Sequence, residues 1–249
     1  MQRPVLAANW KMNHGPTEAR AFMQAYLAQA PRRSDRTVIF FPSALAFNAV
    51  ADACRNRPDI LLGVQNIHGE EKGAFTGETS AAMARDAGAR LVLVGHSERR
   101  HVFGETDAMQ ARKCAAAVRA GLIPVLCVGE LMAQREAGQA QAVVLEQLRA
   151  GLEPLDAAQV ASMLVAYEPV WAIGTGKTAT PEDASGMHAV IRAHLQERLG
   201  DRAKAVPILY GGSANRGNAA TLLAAPEIDG LLVGGASLDA DGWSAIVAA

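Results

Sequence analysis

Lys11, His96 and Glu168 have the side-chain types needed to move a proton beside a carbonyl group. A carboxylate takes a proton from carbon when it is desolvated enough to be basic near neutral pH. An imidazole and an ammonium group polarise the adjacent carbonyl and stabilise the enediolate that forms. The stretches Gly211-Gly212-Ser213 and Gly234-Gly235 add glycine-rich turns, whose backbone N–H groups at helix starts suit a phosphate. Proton abstraction beside a carbonyl on a small phosphorylated substrate uses all of these groups at once. Singly, each has a plain alternative: Lys11 as a solvated lysine, His96 as the residue before a helix cap, Glu168 as a loop carboxylate, Gly-Gly as a turn.

Groups so far apart in the chain meet only on a scaffold, and each follows a short apolar run. The strand candidates are residues 5–9, 37–41, 61–65, 91–94, 123–128, 164–167, 207–210 and 231–233. Several, such as Leu91-Val92-Leu93-Val94, are continuously apolar, as parallel strands buried on both faces are. The segments between them carry a helical period. Met187, Val190, Ile191, His194, Leu195 and Leu199 fall on one helical face, and Phe22 and Tyr26 stand four apart with Leu27 beside them. Alternating strands and helices imply parallel βαβ units, and eight of them in 249 residues is the size of a closed (β/α)8 barrel, one domain over residues 1–249. A doubly wound open sheet is the competing arrangement, but no GxGxxG follows the first run, which argues against a dinucleotide site.

In such a barrel the chemistry lies at the carboxyl ends of the strands. Asn9-Trp10-Lys11, Gly95-His96-Ser97-Glu98, Tyr167-Glu168-Pro169, Gly211-Gly212-Ser213 and Gly234-Gly235 would therefore open onto one rim. The stretch after Glu168 reads as a lid. Pro169-Val170-Trp171 forms a stiff hinge, Ala172-Ile173-Gly174-Thr175-Gly176 a small-residue tip, and Lys177-Thr178-Ala179 a second hinge before a helix start at Thr180-Pro181. A connection of roughly a dozen residues is long for a βα loop. Closing it would keep water from an enediolate phosphate, which otherwise eliminates phosphate.

The formal charge of -1 gives no electrostatic reason to expect nucleic acid or an anionic membrane as partner. No apolar run approaches the roughly 18 residues of a membrane span, and the first residues do not read as a signal peptide. Cys54, Cys114 and Cys127 form no CxxC pair, which argues against a disulfide framework or a thiolate metal site and fits a reducing, cytoplasmic setting. No metal site is expected.

Asn9-Trp10-Lys11-Met12-Asn13, Gly95-His96-Ser97-Glu98-Arg99-Arg100, AYEPVWAIGTGKTATP from Ala166, Tyr210-Gly211-Gly212-Ser213 and Val233-Gly234-Gly235-Ala236-Ser237-Leu238 closely resemble the triosephosphate isomerase family. The likeness runs from Val5 to about Leu238, in the family's order. It implies interconversion of dihydroxyacetone phosphate and D-glyceraldehyde 3-phosphate in glycolysis and gluconeogenesis, with no cofactor. It also implies roles, and triosephosphate isomerase is itself the standard worked example of this pairing: Glu168 as base and a neutral His96 as electrophile. Lys11 would supply positive charge, Asn9 would orient Lys11 and the substrate oxygens, and the N–H groups of Gly174, Ser213, Gly234 and Gly235 would hold the phosphate. Glu98 would partner Lys11. The segment 68–78 is similar to the family's dimerisation loop, with Thr76 near the tip, and implies a homodimer. Cys127 matches a structural cysteine.

Departures are peripheral. His14 stands where glycine is common, which would alter a dimer contact or local dynamics, and Ala214-Asn215-Arg216-Gly217 changes a helix start. A paralogue acting on a four-carbon ketose phosphate would share the catalytic constellation. A non-catalytic barrel would be expected to lack one of Asn9, Lys11, His96 and Glu168, and all are present.

Overall fold

A computed structural model describes residues 1–173 and 179–249. Among these residues, eight parallel strands close into a barrel: β1 (Val5–Asn9), β2 (Thr37–Phe41), β3 (Ile60–Val64), β4 (Leu91–Val94), β5 (Ile123–Val128), β6 (Leu164–Tyr167), β7 (Ile208–Tyr210) and β8 (Gly230–Val233). The open sheet is thereby excluded. The continuous apolar runs find their reason here, because alternate residues serve two cores. Val5, Ala7, Ile39, Phe41, Leu93, Val125, Leu164 and Leu209 fill the interior. Leu6, Ala8, Val38, Phe40, Val92 and Val94 pack outward with the helices. Closure falls between β1 and β8, in the register Val5↔Gly230 to Ala8↔Val233. A Cβ at Gly230 would lie 1.9 Å from the Val5 carbonyl oxygen, so only glycine lets the ring close at that point.

Three strands differ from expectation at their ends. β3 begins at Ile60 and ends at Val64, β8 begins at Gly230, and β7 begins after Pro207, which has no N–H to give to a ladder. The Pro207 carbonyl still accepts from Val165 N. Gln65 leaves the strand because its side chain turns across the rim, donating to the carbonyls of Lys11 and Phe41.

The helix Pro181–Leu199 starts as its sequence dictates. Thr180 Oγ1 accepts from Asp183 N, the Asp183 carboxylate accepts from Thr180 N, and Pro181 takes the first turn, where its missing N–H costs nothing. Met187, Ile191, Leu195 and Leu199 are buried, at about 2 kcal/mol each. His188 and Arg192 are buried on the same helix, whereas Val190 and His194 are only half-buried. Arg192 satisfies its guanidinium on the carbonyls of Ala203 and Val206 and on Glu227 and Asp229. His188 Nδ1 meets the Glu227 carbonyl at 2.9 Å, and burial pushes its pKa down to about 4.

Cys54, Cys114 and Cys127 are free and buried, and burial pushes all three thiols up, those of Cys54 and Cys114 to about 12. Among the described residues, no helix is long and apolar enough to cross a membrane, and no group of three or more His, Cys, Asp and Glu could hold a metal ion.

Candidate active site

The five rim segments meet as the strand-end rule requires. Asn9 ends β1, and its Oδ1 accepts from Lys11 N at 3.0 Å. That bond, with Gln65 Nε2 on the Lys11 carbonyl at 2.8 Å, holds Lys11 at φ 52°, a left-handed conformation costing on the order of 1 kcal/mol for a residue with a Cβ. The ammonium group then reaches Glu98 Oε1 at 2.7 Å. Its stem lies against the β8 turn, since a Cβ at Gly234 would stand 3.2 Å from Lys11 Cε.

β4 ends at Val94, and Gly95 turns the chain at φ 74° into His96, the N-cap of the helix Ser97–His101. His96 Nδ1 accepts from Glu98 N at 3.3 Å, which places the ring proton on Nε2, facing Glu168 Oε1 at 3.0 Å. The other Glu168 oxygen accepts from Ser97 N at 2.8 Å. Both carboxylate oxygens of this 2 % exposed residue are therefore occupied. Two glycines make room for it. A Cβ at Gly129 would fall 1.7 Å from the Glu168 carbonyl oxygen, and one at Gly211 would fall 2.9 Å from Glu168 Cγ.

Burial alone would raise the Glu168 carboxyl, but contact with His96, the Ser97 N–H and the Lys11 charge together hold it below the ordinary value. His96 is the mirror case. Burial opposes its charge, yet Glu168 and Glu98 outweigh burial and raise it. The helix terminus and the carboxylates thus pull His96 in opposite senses: the Glu98 N–H stabilises a bare Nδ1, while Glu168 stabilises the cation. In this arrangement the carboxylates prevail.

Opposite the carboxylate lies a set of backbone donors. The N–H groups of Ser213, Gly234 and Gly235 have no acceptor among the described residues. The Ser213 hydroxyl is turned away, donating to the Ala172 carbonyl at 2.8 Å. Gly235–Ser237 forms a 3-10 turn, held by Ser237 Oγ on the Gly234 carbonyl at 2.7 Å. These donors share a cavity of about 360 Å3 with Asn9, Lys11, His96, Glu168, Ile173 and Leu232. Gly174, expected to add another N–H, lies outside the described residues with the rest of 174–178. So does most of the expected lid tip and second hinge.

The first hinge is described. Val170–Ala172 is a 3-10 turn, and Trp171 Nε1 donates to Glu130 Oε1 at 2.8 Å. Tyr167 donates to the same oxygen at 3.1 Å, and the Arg135 guanidinium lies 4.7 Å from the Trp171 ring centroid while bonding Asp183.

The family model described as triosephosphate isomerase matches residues 4–249. The chain belongs to the triosephosphate isomerase family. It is 49% identical over 249 residues to triosephosphate isomerase of Herpetosiphon aurantiacus, with 99% of each chain covered. It is 49% identical to that of Moorella thermoacetica, covering 99% of this chain and 98% of the other. The crystal structure of triosephosphate isomerase from Bartonella henselae superposes with a TM-score of 0.88 at 37% identity, covering 98% of both chains.

Four groups at the site were not singled out in the sequence: Gln65, the Ser97 N–H, Gly129 and Glu130. A signal existed for three. Gln65 follows β3, and Gly129-Glu130 follow β5, so both segments belong to the same rim. The Ser97 donor is a backbone group and carries no residue signature. Glu98, which the resemblance implied as a partner of Lys11, lies 2.7 Å from its ammonium group. Thr76 is exposed on the loop closed at its base by His68 N on the Thr79 carbonyl.

Proposed function

We propose that this chain isomerises dihydroxyacetone phosphate and D-glyceraldehyde 3-phosphate by proton transfer through an enediolate, as the names of its relatives indicate for those enzymes. The observation that carries the reading is the pairing, in one cavity, of a buried carboxylate 3.0 Å from an imidazole with three backbone N–H groups that have no acceptor among the described residues. The phosphate dianion would take the N–H groups of Ser213, Gly234 and Gly235, and that of Gly174 beyond the described part. Lys11 would sit between phosphate and carbonyl, with Asn9 fixing it.

Glu168 would leave Ser97 and His96 to remove the C1 proton of the ketose, and the C1–H electron pair becomes the enediolate double bond. His96 would give its Nε2 proton to the developing oxyanion and take one back from the neighbouring oxygen. The conjugate acid of Glu168 then returns its proton to C2. Departure of Glu168 from His96 removes the largest influence raising that ring, so burial and Lys11 favour a neutral imidazole at the moment it acts as electrophile.

A homodimer and a cytoplasmic setting belong to the same reading. Met12, Leu45, Phe75, Met83, Val102 and Phe103 are exposed, a set of large apolar side chains suited to a partner surface that Thr76 would enter. We read residues 1–249 as one catalytic domain. The test is turnover of glyceraldehyde 3-phosphate, coupled to a dihydroxyacetone phosphate reductase, alongside tetrose phosphates. Fast turnover of the triose is expected. No turnover, or preference for the larger sugar, would overturn the assignment, and sizing in solution tests the dimer.

A further inference from the structure

His14 makes four contacts, two of which join its segment to separate loops. It stands at φ 59°, the second left-handed residue of the segment that begins with Lys11. Its Nε2 lies 3.1 Å from the carbonyl of Leu238, the residue that ends the 3-10 turn Gly235–Ser237. Its ring meets Trp10 edge-on with centroids 4.8 Å apart and tilts against Phe22 at 5.6 Å. Its own carbonyl accepts from Ser43 Oγ at 3.3 Å, in the loop after β2. A residue with a Cβ stays left-handed only where its surroundings determine it, and here three loops do so.

The spacing that His14 sets is one the proposed reaction uses. Lys11 lies on one side of it, held by Asn9 and Gln65, and the N–H groups of Gly234 and Gly235, which have no acceptor among the described residues, lie on the other. The Lys11 stem lies beside the β8 turn, with Cε 3.2 Å from where a Gly234 Cβ would stand. Asn13 Nδ2 closes the intervening bend on the Trp10 carbonyl at 2.7 Å, so the segment between Lys11 and His14 has little slack. The Leu238 carbonyl can only accept, so His14 bonds it through an Nε2–H.

We propose that His14 is a positioning residue, which ties the Lys11 loop to the Gly234–Gly235 turn and thereby fixes the distance between cation and phosphate donors. This rests on the reading given under the proposed function. Loss of the tie loosens binding of the phosphate end more than it slows proton transfer, because Glu168 and His96 stand on other loops.

The test compares the full-length wild-type protein with His14→Gly and His14→Asn. Glycine accepts the left-handed conformation without a Cβ, and asparagine tolerates it but is too short to span to Leu238. In both, KM for glyceraldehyde 3-phosphate and Ki for inorganic phosphate are expected to rise about fivefold, with kcat changing less than about twofold. His14→Gln, whose amide can donate to the same carbonyl, is expected to recover most of the loss. Unchanged KM and Ki in both shortened variants would overturn the proposal. So would a loss that follows a smaller sedimenting species at assay concentration, which would assign His14 to assembly. A wild-type protein without isomerase activity would instead overturn the reading of function, while the phosphate constants still test the tie.

Discussion

At one end of the cavity Lys11, His96 and Glu168 present side-chain groups already bonded to protein groups, to Glu98, to each other and to Ser97 N–H. At the other end Ser213, Gly234 and Gly235 offer backbone N–H groups with no acceptor among the described residues. On the proposed mechanism the first set exchanges partners to act, and the second needs only to be filled. Backbone donors cost no side-chain entropy when an anion arrives, which suits a group that is held throughout the reaction. Movable side chains suit the atoms that change charge.

If that division holds, changes at the two ends have separable signatures. Glu168→Gln removes the proposed base and leaves the backbone N–H donors of Ser213, Gly234 and Gly235 in place. Turnover is expected to fall roughly a thousandfold or more, with Ki for inorganic phosphate nearly unchanged. Near-normal turnover would break the comparison at its strongest point. Lys11→Met is expected to act on both ends, because the Lys11 stem lies beside Gly234 and its ammonium shares the cavity with His96 and Glu168. Here kcat/KM is expected to drop about a hundredfold through both constants, and a loss confined to kcat would place Lys11 wholly at the reacting end.

His96→Gln sharpens the account of the base. In the wild-type protein His96, the Ser97 N–H and Lys11 keep Glu168 ionised below the ordinary carboxylate value of 4.5. A depressed carboxyl stays ionised as pH falls, so the acid limb of kcat/KM, corrected for titration of the substrate phosphate, lies low. Without His96, burial acts against a weaker opposition and the carboxyl rises. The limb therefore moves to higher pH, and an unmoved limb would detach Glu168 from His96. The smallest effect is expected from Gly234→Ala, which keeps the N–H donors but pushes on the Lys11 stem. A rotamer shift of that size raises KM by up to about tenfold with little change in kcat.

Much of this arrangement is legible in the sequence, for physical reasons. Continuous apolar runs mark strands buried on both sides, and the residues just beyond them share a rim whenever the strands are parallel. That is enough to gather Asn9, Lys11, His96 and Glu168. Strand ends are less legible, since Gly230 and Ile60 belong to β8 and β3 through their pairing with neighbours. The buried positions of His188 and Arg192 are also hidden, because polar types interrupt an apolar stripe and find partners only in the fold. The present hydrogen bonds of Glu168 are least legible of all. They depend on a backbone donor and on room left by Gly129 and Gly211, neither of which a residue type announces.

The joining of β8 to β1 has a meaning for how the molecule is made. Until Gly230–Val233 has been synthesised, the earlier strands hold an incomplete sheet, with β1 and β7 each lacking a neighbour. Unpaired strand edges invite other chains, and contacts between distant parts of a chain form slowly. Val5 meets Gly230 only after all seven earlier strands have been made. The nascent protein is therefore most exposed to aggregation in the interval before its last strand arrives, and loses both open edges when that strand seats.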